Sequence, residues 1–479
     1  MLNRTTLLTL AICATALASS PVRATHVAAA EILYHCTGNP NEFEITLNLY
    51  RDCVGSELDV TQDILINNPC GGPQSLTLTQ TLVQEVSQLC ATELTNSTCN
   101  GGSQPGIEMH QYRAIVTLPP CDHITFSWTL CCRNGAIDNI YVSTADTDMY
   151  VETTMYSGTF PCDDSPVFNS SPVPYLCQNY PVTYGFGTTE VNGDHLVYTF
   201  VEALEAVGLP CVYNLPYSST NPIDGIALDP NTGTLTFTPT TQGNFVVTVL
   251  VSQYDDDNVL IGTVMRDMQF VVIPCSNVPP DPSTGVVEVV EIDTLSAYGV
   301  NACGLSSFCF NLTIVDPDTA QSVSLESNVL TALPGSSFSY TGTNPVTAQV
   351  CWSIPADYDE EYATFQILAT DDACPITAFS SYVYTIQICP PATVEIPNVF
   401  SPNHDGPNDA FYFIKFSGFA SFKMEIFNRW GQMIHETSTK REDLLIWAPT
   451  DDVTEGTYYY RFVGITATDS QHVQHHRYL

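Results

Sequence analysis

Residues 243–251 read Gly243-Asn244-Phe245-Val246-Val247-Thr248-Val249-Leu250-Val251; after the acidic turn Asp255-Asp256-Asp257-Asn258 a second run, Gln269-Phe270-Val271-Val272-Ile273, ends at Pro274-Cys275. Both runs are crowded with β-branched and aromatic side chains, which fit a pleated surface and lose rotamer freedom in a helix. Both are bounded by Gly, Asp, Asn or Pro, the residues that turn a chain. The pair predicts two strands joined by an acidic loop. Just upstream, Leu235 and Phe237 alternate with threonines after the turn Asp229-Pro230-Asn231-Thr232-Gly233. Further on, Phe365-Gln366-Ile367-Leu368 leads through Asp371-Asp372 to Tyr382-Val383-Tyr384-Thr385-Ile386-Gln387-Ile388, which stops at Cys389-Pro390-Pro391. Helical periodicity is almost absent, so the expected class is all-β.

Two β-sandwich modules of Ig or cadherin type, offset by about 114 residues from Cys275 to Cys389, account for the repetition. The expected division is a signal peptide at 1–24, a Cys-rich β-domain at 25–160, Ig/cadherin-like sandwiches at 161–275 and 276–391, and a small C-terminal β-sandwich at 392–479. Pro-rich stretches at Val278-Pro279-Pro280-Asp281-Pro282 and Cys389-Pro390-Pro391 read as stiff linkers.

The last segment opens Ile396-Pro397-Asn398-Val399-Phe400-Ser401-Pro402-Asn403-His404-Asp405-Gly406-Pro407-Asn408-Asp409-Ala410-Phe411 and continues Phe422-Lys423-Met424-Glu425-Ile426-Phe427-Asn428-Arg429-Trp430-Gly431. It resembles the gliding-motility-associated C-terminal domain, the type B sorting signal of bacterial type IX secretion. Pro397, Asn398, Phe400, Pro402, Asn403, Asp405, Gly406, Asn408 and Asp409 match its first motif, and Phe427, Asn428, Arg429, Trp430 and Gly431 match its second. Gly456-Thr457-Tyr458-Tyr459-Tyr460 follows as a third. His404, Ala448-Pro449 and the ending His475-His476-Arg477-Tyr478-Leu479 depart from the pattern. The resemblance implies export across the outer membrane, the secretion machinery and an outer-membrane component as partners, and a secreted or cell-surface location. Read from the residues alone, Phe422, Met424 and Ile426 alternate with Lys423 and Glu425, as do Tyr458, Tyr460 and Phe462 with their neighbours, each as a strand with one buried face.

The other end agrees. Arg4 precedes an apolar stretch from Leu7 to Ala18, too short to span a bilayer and suited to a secretory signal cleaved after Ala18 or Ala24. A lipoprotein signal ending at Cys13 is the weaker reading, because Ile12 is bulky for its position. No later stretch is long and apolar enough for a transmembrane helix. More scattered motifs, among them Leu49-Tyr50-Arg51-Asp52-Cys53, Cys131-Cys132-Arg133-Asn134, Asn192-Gly193-Asp194-His195 and Arg266-Asp267, resemble the ectodomains of adhesin-like surface proteins bearing the same tail.

The chain of 479 residues holds 13 Lys+Arg against 51 Asp+Glu, a net charge of −38. All three lysines (Lys415, Lys423, Lys440) lie in the last segment, and between Arg133 and Lys415 the only Lys or Arg is Arg266. Phosphate recognition needs clustered cations, so nucleic acid is excluded as a partner. Arg51, Arg133 and Arg266 each stand beside a cysteine or an aspartate, which predicts structural carboxylate pairs. Of 18 cysteines, Cys13 falls in the signal; the remainder in an exported protein predicts disulfides and one odd thiol. The candidates are Cys36, Cys53, Cys70, Cys90, Cys99, Cys121, Cys131 and Cys132 in the first domain and Cys162, Cys177, Cys211 and Cys275 in the second. Parity within segments places bridges inside domains and the odd thiol between 276 and 390. Vicinal Cys131-Cys132 are expected to reach two different partners.

The sequence carries no Gly-x-Ser-x-Gly elbow, His-Glu-x-x-His, Walker loop or dinucleotide fingerprint, and no catalytic residue is assigned. Calcium is the one ligand the residues invite. Asp255, Asp256 and Asp257 recur with Asp371 and Asp372 in equivalent loops, Asp316-Pro317-Asp318 occupies another turn, and calcium takes six to eight oxygens. The opposing reading is that Asp and Asn simply make solvated turns. The expected function is non-enzymatic, in adhesion, matrix or surface-structure assembly through a glycan or protein ligand. A carbohydrate-binding or carbohydrate-degrading exoprotein is the alternative.

Overall fold

The computed structural model describes residues 27–142, 147–190, 192–255, 257–282, 286–289, 293–296, 298–303, 305–355, 358, 360, 362–388, 393–402, 409–417, 419–438, 445–449, 456–466 and 472–478. The expected signal peptide lies outside them. Strands dominate, as the patterning predicts.

The largest sheet has 13 strands and draws on both of the first two expected domains. Its seam is the strand Leu260–Ile273. One edge of this strand pairs along its length with Gly243–Tyr254. The other edge is taken in turn by three segments: Met149–Met155 opposite Gly262 to Val264, Val27–Cys36 opposite Arg266 and Asp267, and Tyr175–Cys177, running parallel, opposite Val271 to Ile273. From Val27–Cys36 the sheet continues through Glu42–Asp52, Ile107–Thr117, Ser75–Glu85, Thr61–Asn67 and Ile124–Leu130 back to Met149–Met155. Hydrogen-bonded strands therefore cross the boundary expected at residue 160, and 27–273 is one continuous body. Period-2 patterning says which face a strand buries and is silent on which strand lies beside it.

Two large apolar cores, with two smaller clusters beside them, fill this body. Phe43, Ile45, Leu47, Phe126 and Trp128 anchor one, and Tyr184, Phe186, Phe245, Val247 and Phe270 the other. Between them the seam strand carries Arg266 and Asp267, both 0% exposed. Arg266 Nε lies 2.6 Å from Glu31 Oε2, its Nη2 donates to the Ser170 carbonyl at 2.7 Å, and the guanidinium sits 4.4 Å from the Phe168 ring centroid. Asp267 is gripped at both oxygens by Arg133, at 3.0 and 2.6 Å. Arg51 donates to Glu108 at 2.7 Å. These are the structural pairs that the placement of the scarce arginines predicts.

The third body is a two-sheet sandwich. Val286–Val289, Ser307–Ile314, Val346–Ser353 and Ser336–Gly342 make one sheet; Asp293–Ser296, Gly299–Asn301, Phe379–Gln387, Tyr362–Asp371 and Val323–Ser327 make the other. Phe310, Trp352, Phe365 and Tyr384 are buried between them. The Pro-rich stretch before it is an edge of this sandwich more than a free linker, because Asp281 and Val315 exchange backbone hydrogen bonds of 2.8 and 3.0 Å.

Seven disulfides have both cysteines described: Cys36–Cys162, Cys53–Cys99, Cys70–Cys121, Cys90–Cys374, Cys131–Cys132, Cys177–Cys275 and Cys309–Cys351. Cys303 is disulfide-bonded as well. Three expectations are corrected. Cys131 and Cys132 bridge each other rather than two distant partners. Cys90–Cys374 joins the first body to the third. Among the described residues the free thiol is Cys211, buried in the second expected domain, where parity placed the odd thiol between 276 and 390. Parity counting treats each segment as a closed set, and a bridge between bodies breaks that premise. The same contact is reinforced by Gln88 Nε2 on the Thr377 carbonyl at 2.5 Å, by Gln366 Nε2 on the Gly185 carbonyl at 2.8 Å, and by the Tyr184 and Phe379 rings.

The C-terminal domain stands apart in its materials. Phe419–Phe427 pairs with Met433–Thr437 and Tyr459–Thr466, and the latter with His472–Tyr478. Phe422, Met424, Ile426, Tyr460 and Phe462 are buried, as the alternation predicts. Glu425 is buried too, where alternation places it outside; it sits 2.9 Å from Lys423 Nζ and is paired with Arg461.

Candidate functional site

The acidic residues were expected to gather at module ends, and the fold brings one group of them together. Asp316 and Asp318 stand on the turn after Ser307–Ile314, Asp371 ends the strand Tyr362–Asp371 with Asp372 just beyond it, and Asn277 reaches in from the connector. Asp371 Oδ1 accepts from the Ala373 and Ala378 amides at 3.1 and 2.9 Å, and its Oδ2 accepts from Asn277 Nδ2 at 2.8 Å. Asp372 Oδ1 accepts from the Ser322 amide at 2.8 Å. Asp318 Oδ2 accepts from the Val278 amide at 3.3 Å and from Gln321 Nε2 at 3.4 Å. Asp316 is 0% exposed; its Oδ1 accepts from the Asp318 amide at 2.7 Å, while its Oδ2 is buried with no donor. Burial, with Asp371, Asp318 and Asp372 nearby, pushes Asp316 up to about 6. Burial likewise raises Asp371. An acceptor left without a donor in a buried, negative setting is the environment a hard cation relieves.

The equivalent loop in the second region behaves differently. Asp255 Oδ1 accepts from the Asp257 and Val259 amides at 3.0 and 2.7 Å, which closes a turn at the surface. Asp256 lies outside the described residues. Sequence reading puts Asp255, Asp256 and Asp257 and Asp371 and Asp372 in equivalent loops of successive modules; the structure sets Asp371 and Asp372 beside Asp316 and Asp318, whereas Asp255 closes a turn of its own. Asn277 and Gln321 were missed, because an amide at a connector carries no charge signal.

Among the described residues, the groups of three Cys, Asp or Glu side chains whose ligand atoms all lie within 4.8 Å of one another are Cys53-Cys99-Glu108 and Cys131-Cys132-Asp148; the Asp316 group is not one of them. Their cysteines are paired in disulfides, so no thiolate is offered. Cys211 is the one thiol described as free; burial pushes it up to about 11 against the opposing pull of Arg133, which makes it an inert core group.

In the tail, Asn403, Asp405, Gly406 and Asn408 lie outside the described residues. Around them, Phe400 packs its ring 5.5 Å from Phe411 and 5.6 Å from Trp447. The Asn-Arg-Trp-Gly motif is the hairpin turn between Phe419–Phe427 and Met433–Thr437. Asn428 Oδ1 accepts from the Trp430 and Gln432 amides, both at 3.0 Å, and Gly431 takes φ +77°. The Asn side chain and the Gly backbone make the turn, and Trp430 is left 84% exposed at its tip.

No curated protein matches the chain. Among solved structures it is similar to the titin I-band fragment I67-I69 (13% identity over 62% of this chain and 93% of that one, TM-score 0.20). It is also similar to Drosophila N-cadherin EC1-4 (10% identity, 88% and 92% covered, TM-score 0.23) and to the sialic acid binding region of a Streptococcus sanguinis SK1 adhesin (11%, 57% and 96%, 0.16). At these TM-scores the likenesses say nothing about ligands. The tail is another matter: two motifs in order, built here as an aromatic core and a hairpin turn, coincide with a family match over the same residues. Residues 394–479 match the CHU_C Type IX secretion signal domain, and the protein that carries them is exported to the cell surface or the medium.

Proposed function

We propose that this chain is a non-enzymatic surface or secreted protein whose body, residues 27–388, serves adhesion, matrix or surface-structure assembly, delivered by the tail through the type IX machinery. The observation that carries the reading is the clamp between bodies. Cys90–Cys374, Gln88 and Gln366 tie the third sandwich to the continuous first body, so surface loops are held at fixed spacing. Fixed spacing favours multivalent contact, because a second contact then forms at little further entropic cost. Calcium belongs to the same reading: Asp316, Asp318, Asp371 and Asp372 with Asn277 would hold it where the connector enters the third sandwich. The test is retention of the purified mature protein on immobilised glycans, on cells and on itself, with a reducing-sugar assay alongside. Binding without sugar release supports the proposal, and turnover of a polysaccharide would replace it with the exoenzyme alternative.

A further inference from the structure

The chain has four tryptophans, and three of them are core residues: Trp128, Trp352 and Trp447 are 2%, 1% and 6% exposed. Trp430 is 84% exposed. Leaving an indole in water forgoes one of the largest apolar burials a side chain offers. A domain that does so at the tip of an ordered hairpin gains something there other than stability.

The neighbours of Trp430 in the turn each have a task within the fold. Phe427 lies opposite Tyr459 on the adjacent strand. Asn428 Oδ1 closes the turn on two backbone amides, and Gly431 supplies the left-handed φ. Arg429 reaches Gly456, the first residue of the third motif: a Cβ added there would stand 3.3 Å from Arg429 Nη2, so the guanidinium rests across a residue with no side chain. Trp430 serves the turn through its backbone amide, which every residue except proline could provide. Its ring is left over.

The ring has apolar company. Met433 and Ile434, on the edge strand that follows the turn, are 48% and 39% exposed, and Tyr459 is 39% exposed. Exposed apolar side chains gathered at one end of a sheet mark a contact surface, and tryptophan is among the residues that most often carry binding energy. The Asn428 and Gly431 turn holds the ring in place beforehand, which lowers the ordering cost of binding.

We propose that Trp430, backed by Met433 and Ile434, is the contact through which an outer-membrane component of the type IX machinery captures the folded tail, the indole entering an apolar cleft on that component. The proposal rests on the reading of the tail as the chain's export signal. The patch lies inside residues 394–479, the segment that matches the secretion signal domain, which favours the machinery as its occupant. A second copy is disfavoured, because two chains of net charge −38 repel each other.

The test uses the full chain in a host that has the type IX machinery. A photo-reactive benzoylphenylalanine in place of Trp430 should crosslink during export to an outer-membrane protein. The same probe in place of Ile414, which is 61% exposed and lines a cleft with Ile396, Pro397 and Tyr460, should not. Trp430→Ala should lower the amount outside the cell by about tenfold or more, with a folded, disulfide-bonded chain held in the periplasm, and Trp430→Phe should restore much of the loss. Crosslinks from position 414 but not 430, or from 430 only to another copy of the chain, would overturn the contact. So would parental export of Trp430→Ala in cells where deletion of residues 393–479 blocks export. Parental export of the deletion itself would instead remove the reading on which the contact rests.

Discussion

The body and the tail solve the same folding problem with different materials. Residues 27–388 hold every described disulfide and bury three of their four arginines, Arg51, Arg133 and Arg266, while the tail has no cysteine, carries all three lysines and is held by a packed set of aromatic rings around Phe413, Phe416 and Phe462. In the body, charge is an internal fastening: Arg266 and Glu31 are each 1% exposed at the side chain. In the tail the pair Arg461–Glu425 leaves its arginine 45% exposed. A buried pair holds only while both partners remain, and an exposed one contributes little either way.

The largest effect expected of this division is on location. Deleting residues 393–479 should leave a folded, disulfide-bonded body in the periplasm and almost none outside; cell fractionation would expose the division as false if the truncated chain reached the medium at parental levels. Next comes charge. Arg266→Met leaves Glu31 buried and alone, so denaturant unfolding of the body should show a loss of about 3–5 kcal/mol, whereas Arg461→Met in the tail should lose about 1 kcal/mol or less. Equal losses would mean that the two regions do not differ in this respect.

Crosslinks follow. Cys90→Ser with Cys374→Ser should lower body stability by about 2–4 kcal/mol, and a reductant should lower the body's melting temperature while leaving the tail's transition in place. A tail transition that moves with the reductant would show that the two are coupled. The smallest effect concerns pH and calcium. Asp316 and Asp163, the latter raised by its burial and by Asp194 and Glu190, sit at about 6 and about 8, above an unfolded aspartate near about 4. These two groups therefore contribute stability that, in chelator, is fully present below about pH 4 and is lost as pH rises through 6 and then 8. Calcium at the Asp316 group would replace its proton, so its gain should be larger at pH 8 than at pH 5, about 2.7 kcal/mol at a hundred times the dissociation constant. A melt indifferent to calcium at pH 8 would leave the Asp316 group a buried carboxylate cluster that holds no cation.

Much of this was legible in the residues. Alternation at Phe422, Met424 and Ile426 gave the tail strands, the runs at 245–251 and 269–273 are paired strands, and the arginines beside Asp or Cys are structural pairs. Local signals end where distant segments meet. Nothing in residues 27–36 says that they lie against Arg266 and Asp267, and nothing beside Cys90 points to Cys374. The acidic groups show the same limit. Asp255 and Asp371 look alike in sequence; what separates them is whether a second carboxylate, Asp316 in one case, is folded against them.

The shared edge of Leu260–Ile273 also sets an order of events in time. Val27–Cys36 and Met149–Met155 are made first and must wait, with unpaired backbone, for a partner more than a hundred residues downstream. Cys53–Cys99 and Cys70–Cys121 can close early, but Cys90 waits for a thiol 284 residues away. A chain threaded N-terminus first into the periplasm therefore spends its vulnerable interval with open edges and several unmatched cysteines, Cys90 for the longest. Its yield should depend on the isomerases and holding chaperones it meets there, before the tail is engaged.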